Sequence, residues 1–229
     1  MVTALEGRRV LAVDLPGHGE SCHRDSYDMG EVVEVVHAAL LDAGAHLPIL
    51  VGHSLGAVLA TAYAGRHPTR AVLNIDQPLL PGPFGDYLRS VEPVLRGPEY
   101  LNIWDTLSAG MGADQLAPHL RTLLRSDPRQ DLLLGYWSEI LQMTPTALRA
   151  ERTQELTALR EAGTAYHHVS RAAMPPGYRE WFNALLPEAA FTVLPGSGHF
   201  PHVGQPQALA RIVSDFSDVH PMVHRRRGR

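Results

Sequence analysis

Lysine is absent: all 20 positively charged residues of this 229-residue chain are arginine. That excludes a Schiff-base lysine and the lysine a P-loop extends to nucleotide phosphates. Cysteine occurs once, as Cys22, so no disulfide can close within the chain. The opening stretch MVTALEGRRVLAVDL lacks the basic, apolar and small-residue zones of a secretory leader, and a cytoplasmic address is expected. No apolar run approaches the roughly 18 residues of a membrane helix, so no membrane partner is expected. Positive charge is scarce as a field too. The net charge is -4 and the one dense basic cluster is HRRRGR at 224–229. Residues 221–229 therefore read as a solvated, disordered tail, with no nucleic-acid partner.

What is present is ordinary globular material: 45% hydrophobic residues, in a length suited to one large domain with an insertion. Short apolar runs at 10–13, 49–51, 71–75, 166–169 and 191–194 read as buried strands of a mostly parallel sheet. Helix-period segments at 29–43, 55–65, 177–186 and 205–217 lie between them and predict a three-layer α/β fold. Residues 78–163 break the alternation with Pro and Gly punctuation and several helical patterns but no strand, and read as an inserted helical cap. The core is then 1–77 and 164–220.

The stretch LPILVGHSLGAVLA (47–60) places Gly52-His53-Ser54-Leu55-Gly56 between a strand pattern and a helix pattern. A sharp strand-to-helix turn needs glycines two residues either side of a strained serine, leaving its Oγ clear above the sheet. With VLAVDLPGHGES (10–21) upstream and VLPGSGHFPHVGQP (193–206) downstream, the chain resembles the α/β-hydrolases over nearly its whole length. The resemblance implies an α/β-hydrolase-type fold with an inserted cap, Ser54 as nucleophile and His199 as general base. It also implies one oxyanion donor in the backbone N–H of Leu55, and acyl transfer on a small to medium, largely apolar ester, thioester or lactone. No cofactor is implied. Neither His199 with His202 nor His167 with His168 has a third ligand at recognisable spacing, so no metal is expected.

Two departures from the family pattern stand out. The loop after the penultimate strand, YHHVSRAAMPPGYREW, has alanine near 173 where the family places its acid, and no carboxylate lies between Val169 and Glu180. Asp76, at the end of AVLNID, is the substitute: either it orients His199 or it caps a strand end. Asp14 reads as a structural part of the D-x-P-G-H-G loop. The family's first strands, and the His-Gly loop that gives a second oxyanion donor, are missing before residue 10. The runs at 10–13 and 49–51 must then either pair directly or leave sheet edges open.

These departures keep three readings alive: a serine hydrolase, a non-catalytic ligand-binding or interaction protein that kept the elbow, and a truncated gene product with impaired activity. The insertion carries Trp104 and Trp137, which with His53 and Phe200 are the expected substrate-contacting rings. Taken singly, each tryptophan reads first as part of the insertion's own core.

Overall fold

The computed structural model describes residues 4–5, 7–124 and 128–219. The tail expected at 221–229 lies outside them. Four strands form one parallel sheet in chain order: β1 (Ile49–His53), β2 (Ala71–Ile75), β3 (Ala165–Ser170) and β4 (Ala190–Val193). Around them run α1 (Met29–Asp42), α2 (Leu55–Ala64), α3 (Gly82–Leu95), α4 (Tyr100–Ala109), α5 (Pro118–Arg121), α6 (Gln130–Tyr136), α7 (Ser138–Gln142) and α8 (Pro145–Ala162). They are followed by α9 (Pro176–Leu185), α10 (Pro201–Gly204) and α11 (Pro206–Val219). The expected α/β architecture is present, and its helix boundaries follow local chemistry. Asp28 caps α1 by accepting from the Gly30 N–H at 2.8 Å, and Gly163, at φ 67°, closes α8 in the left-handed region.

The period of two along the strands divides the core. Val72 and Tyr166 face α2, α8 and α9, where Ala60, Ala64, Leu156, Leu159 and Phe182 close over them. Leu73, Ile75 and Val169 point the other way, onto Leu209, Ala210 and Val213 of α11. A separate cluster of Leu88, Leu95 and Ile103 holds the inserted helices together. The last helix of the insertion, α8, leaves that cluster and packs on the sheet. Arg152, 1% exposed, sits at this joint. Its guanidinium donates to Glu155 at 2.9 Å within α8 and to Glu139 of α7 at 2.5 Å, so the inserted helices are pinned to a core helix.

One expected strand does not form. Residues 10–13 make no ladder with any described residue, and Val10, Leu11 and Val13 are 37%, 40% and 42% exposed. The run lies along α1 instead, and Leu11, Ala12 and Val13 line a groove of about 280 Å³ with Val35, Val36, Ala39 and Leu40. An apolar run becomes a strand only where a hydrogen-bonding edge comes within reach. Here β1 bonds only to β2 among the described residues, and its other edge stays open. The two runs do not pair directly.

Candidate active site

The sheet's carboxyl edge gathers the candidate side chains. Ser54 follows β1 with φ 52° and ψ -128° and caps α2, while Asp76 follows β2 with φ 56°. They are the two non-glycine residues with positive φ among the described residues, a backbone strain that clusters at functional sites. Each is tied to the neighbouring strand: the Ser54 N–H donates to the Ile75 carbonyl at 3.1 Å, and the Asp76 N–H to the Val169 carbonyl at 2.7 Å. Gly52 is required by packing, since a Cβ there would stand 2.1 Å from the Gly56 carbonyl oxygen. Gly56 has open space at the same position. As the first residue of α2, Leu55 has no preceding helical carbonyl for its N–H, which opens at the positive end of the helix.

His199 is brought to Asp76 across 123 positions of chain. Its Nδ1 donates to Asp76 Oδ2 at 2.7 Å, and both residues are buried. The other carboxylate oxygen accepts the Arg171 backbone N–H at 2.7 Å, and the Arg171 guanidinium lies 3.7 Å from Oδ2. Asp76 is thus held from both sides, with its charge aimed at the imidazole. The His199 loop is fixed in turn by the insertion. Its N–H donates to the Met111 carbonyl at 2.7 Å, and the Gly198 N–H donates to Gln115 Oε1 at 3.1 Å. A side chain on Gly198 would stand 2.3 Å from the Gly112 carbonyl oxygen.

His53 braces the same loop. Its Nε2 donates to the His199 carbonyl at 2.6 Å, and its ring lies 4.5 Å from that of His199 and 4.2 Å from that of His202. Burial, reinforced by the two neighbouring imidazoles, lowers the His53 pKa to about 3, so the ring is neutral at physiological pH. Burial likewise lowers His202 to about 4. No group of three or more His, Cys, Asp or Glu side chains among the described residues is arranged to hold a metal ion.

A family model described as the alpha/beta hydrolase family matches residues 2–212. The chain belongs to this family. Over 228 residues it is 27% identical to the pimeloyl-[acyl-carrier protein] methyl ester esterase of Chromobacterium violaceum, covering 92% of this chain and 84% of that protein. Among solved structures, it resembles one described as the basis for recognition and ring-cleavage of the Pseudomonas quinolone signal. The TM-score is 0.70 at 20% identity, over 89% of this chain and 79% of the other. A thermophilic esterase from Thermogutta terrifontis aligns with a TM-score of 0.61 at 19% identity, over 90% of this chain and 78% of the other. At these identities the structural likenesses establish the fold alone.

The remaining expected residues of this alpha/beta hydrolase fall in different places. Phe200 lies beside the expected base, its ring 5.6 Å from His199 and 5.8 Å from His53. Trp137 packs edge-on against Phe84 at 5.9 Å within the insertion's own cluster, and Trp104 is half-buried on α4. Asp14 braces its own loop, accepting from the Glu20 N–H at 3.2 Å. Arg171, Gln77, Met111 and Gln115 were not anticipated as site residues. Gln77 directly follows Asp76 in sequence, whereas the β2–β3 register brings Arg171 and the path of the insertion brings Met111 and Gln115, and neither has a local signature. No helix among the described residues is long and apolar enough to cross a membrane.

Proposed function

We propose that the protein is a serine hydrolase that cleaves a small to medium, largely apolar carboxylic ester, or a thioester or lactone of similar size. The observation that carries this reading is the pairing of His199 with Asp76 at 2.7 Å on the sheet edge where strained Ser54 opens α2. His199 Nε2 accepts the hydroxyl proton as Ser54 Oγ bonds to the substrate carbonyl carbon, and the developing oxyanion is met by the Leu55 N–H. Collapse breaks the bond to the leaving oxygen, which takes the proton back from His199. Water then repeats the sequence on the acyl-enzyme, releasing the acid and restoring the serine. Asp76 holds the imidazole in the tautomer this requires. The esterase names among the relatives support the ester class. The single cysteine and its exposure suit a cytoplasmic protein.

A fluorophosphonate probe tests the reading. The wild-type chain is expected to label at Ser54 and to hydrolyse short p-nitrophenyl esters, and Ser54→Ala is expected to do neither. Absence of labelling in folded wild-type protein sinks the proposal and favours a non-catalytic binding protein. That second reading has one observation on its side: the Ser54 hydroxyl makes no hydrogen bond to His199 among the described residues and instead donates to Gln77.

A further inference from the structure

The placement of the Ser54 proton is set by atoms whose roles are chemically fixed. Ser54 Oγ lies 3.4 Å from Gln77 Oε1. The orientation of that amide is decided by its other end, where Nε2 donates to the Pro78 carbonyl at 2.9 Å; an oxygen placed there would have no proton to give. An amide oxygen only accepts, so in this contact the serine is the donor and its proton points toward Gln77.

The Gln77 side chain is anchored at its far end by the Nε2 bond to the Pro78 carbonyl, and its backbone is clamped. Its N–H donates to Asn74 Oδ1 at 3.1 Å, and Asn74 Nδ2 donates back to the Gln77 carbonyl at 2.8 Å. Fully buried Asn74 also donates to the Tyr166 hydroxyl at 3.0 Å. Thr61 spends its hydroxyl proton on the Ala57 carbonyl at 2.8 Å, so Tyr166 donates to Thr61 across their 3.0 Å contact. The Ala57 N–H donates to the Ser54 carbonyl at 2.8 Å. These bonds form a ring that leaves Ser54 through its side chain and returns through its backbone.

We propose that Gln77 is a positioning residue that holds the Ser54 hydroxyl off the base in the free enzyme, its side-chain oxygen competing with His199 Nε2 for the serine proton. This rests on the serine-hydrolase reading above. A contact of 3.4 Å is at the weak end of hydrogen bonding, so a bound acyl group releases the hydroxyl at small cost. The hold governs the resting nucleophile and leaves the chemistry intact once substrate is seated.

The experiment is the second-order rate of fluorophosphonate inactivation of the full chain, compared across wild type, Gln77→Met and Gln77→Glu. Methionine keeps the length of the side chain without its acceptor, and the clamp survives because it uses only the backbone of Gln77. Gln77→Met is expected to label faster by on the order of 2- to 10-fold, the worth of one modest hydrogen bond. Gln77→Glu loses the bond to the Pro78 carbonyl but still offers Ser54 an acceptor, and is expected to label no faster than wild type. A merely structural role would slow both, and thermal unfolding curves confirm that each variant folds. Gln77→Met no faster than wild type, or Gln77→Glu as fast as Gln77→Met, overturns this inference and leaves the serine-hydrolase reading standing. No labelling in any of the three chains overturns both.

Discussion

Asp76 is the residue on which the site turns. It holds a positive φ, gives its N–H to β3, and divides its carboxylate between the Arg171 N–H and His199. The identity of the side chain explains why the strain persists: aspartate tolerates the left-handed region better than most residues, and here the conformation is what swings its carboxylate toward the base. Asparagine at this position keeps the shape but removes the charge that stabilises an imidazolium and selects its tautomer. Asp76→Asn is therefore expected to lower kcat for ester hydrolysis by about 10³- to 10⁴-fold while leaving thermal stability close to wild type. Unchanged turnover would reduce Asp76 to a strand-end cap. Ser54, His199 and Asp76 were legible in the sequence because each ends or follows a strand in a recognisable local pattern. Arg171 was not, since its approach to Asp76 is made by strand register alone.

At the scale of elements, the helices and four of the five expected strands lie within a residue or two of where apolar periodicity placed them. The exception, residues 10–13, has the right composition and no partner. Side-chain pattern states what a strand would bury, whereas ladder formation depends on an edge elsewhere in the chain. Helix α8 shows the complementary problem. It follows the inserted helices in sequence and shares their lack of strands, yet Leu156 and Leu159 are fully buried against β2, β3 and α9. Leu156→Ala is expected to cost about 2 to 5 kcal/mol of global stability, because the cavity opens in the main core and not in a peripheral subdomain. Urea unfolding checks this: a single cooperative transition at a lower midpoint is expected. A separate early transition confined to the inserted helices would assign α8 to them instead.

Across the whole molecule, stability depends on pH through groups spread over several elements. Burial lowers His53 to about 3, and His168 and His202 to about 4. The unfolded chain binds these protons near pH 6.5 while the folded chain resists them, so the stability these rings contribute is full above about pH 6.5 and is lost as pH falls below it. Each contributes a slope of up to about 1.4 kcal/mol per pH unit. Glu155 works in the opposite direction. Burial outweighs its Arg152 partner and raises it to about 7, so from there down to its unfolded value of 4.5 acidification favours the folded state. Burial likewise raises Glu139. Burial also lowers His167, so four histidines oppose two glutamates, and thermal unfolding is expected to show falling stability below pH 6.5. His168 offers the sharpest check: it is fully buried, and neither ring nitrogen has a hydrogen-bond partner among the described residues. His168→Met removes an unsatisfied polar group and one proton-uptake site. It is expected to raise the melting temperature and to flatten the acid limb by about one proton. An unchanged acid limb would show that His168 does not resist protonation in the folded state.

The hydrogen bond from the His199 N–H to the Met111 carbonyl has a consequence for selectivity. It ties the loop that carries His199 to the inserted segment around Met111, so a displacement of that segment also displaces His199. Under the proposed ester hydrolysis, an ester large enough to displace that segment is expected to lose turnover more than affinity, which steady-state kinetics over a series of acyl lengths checks.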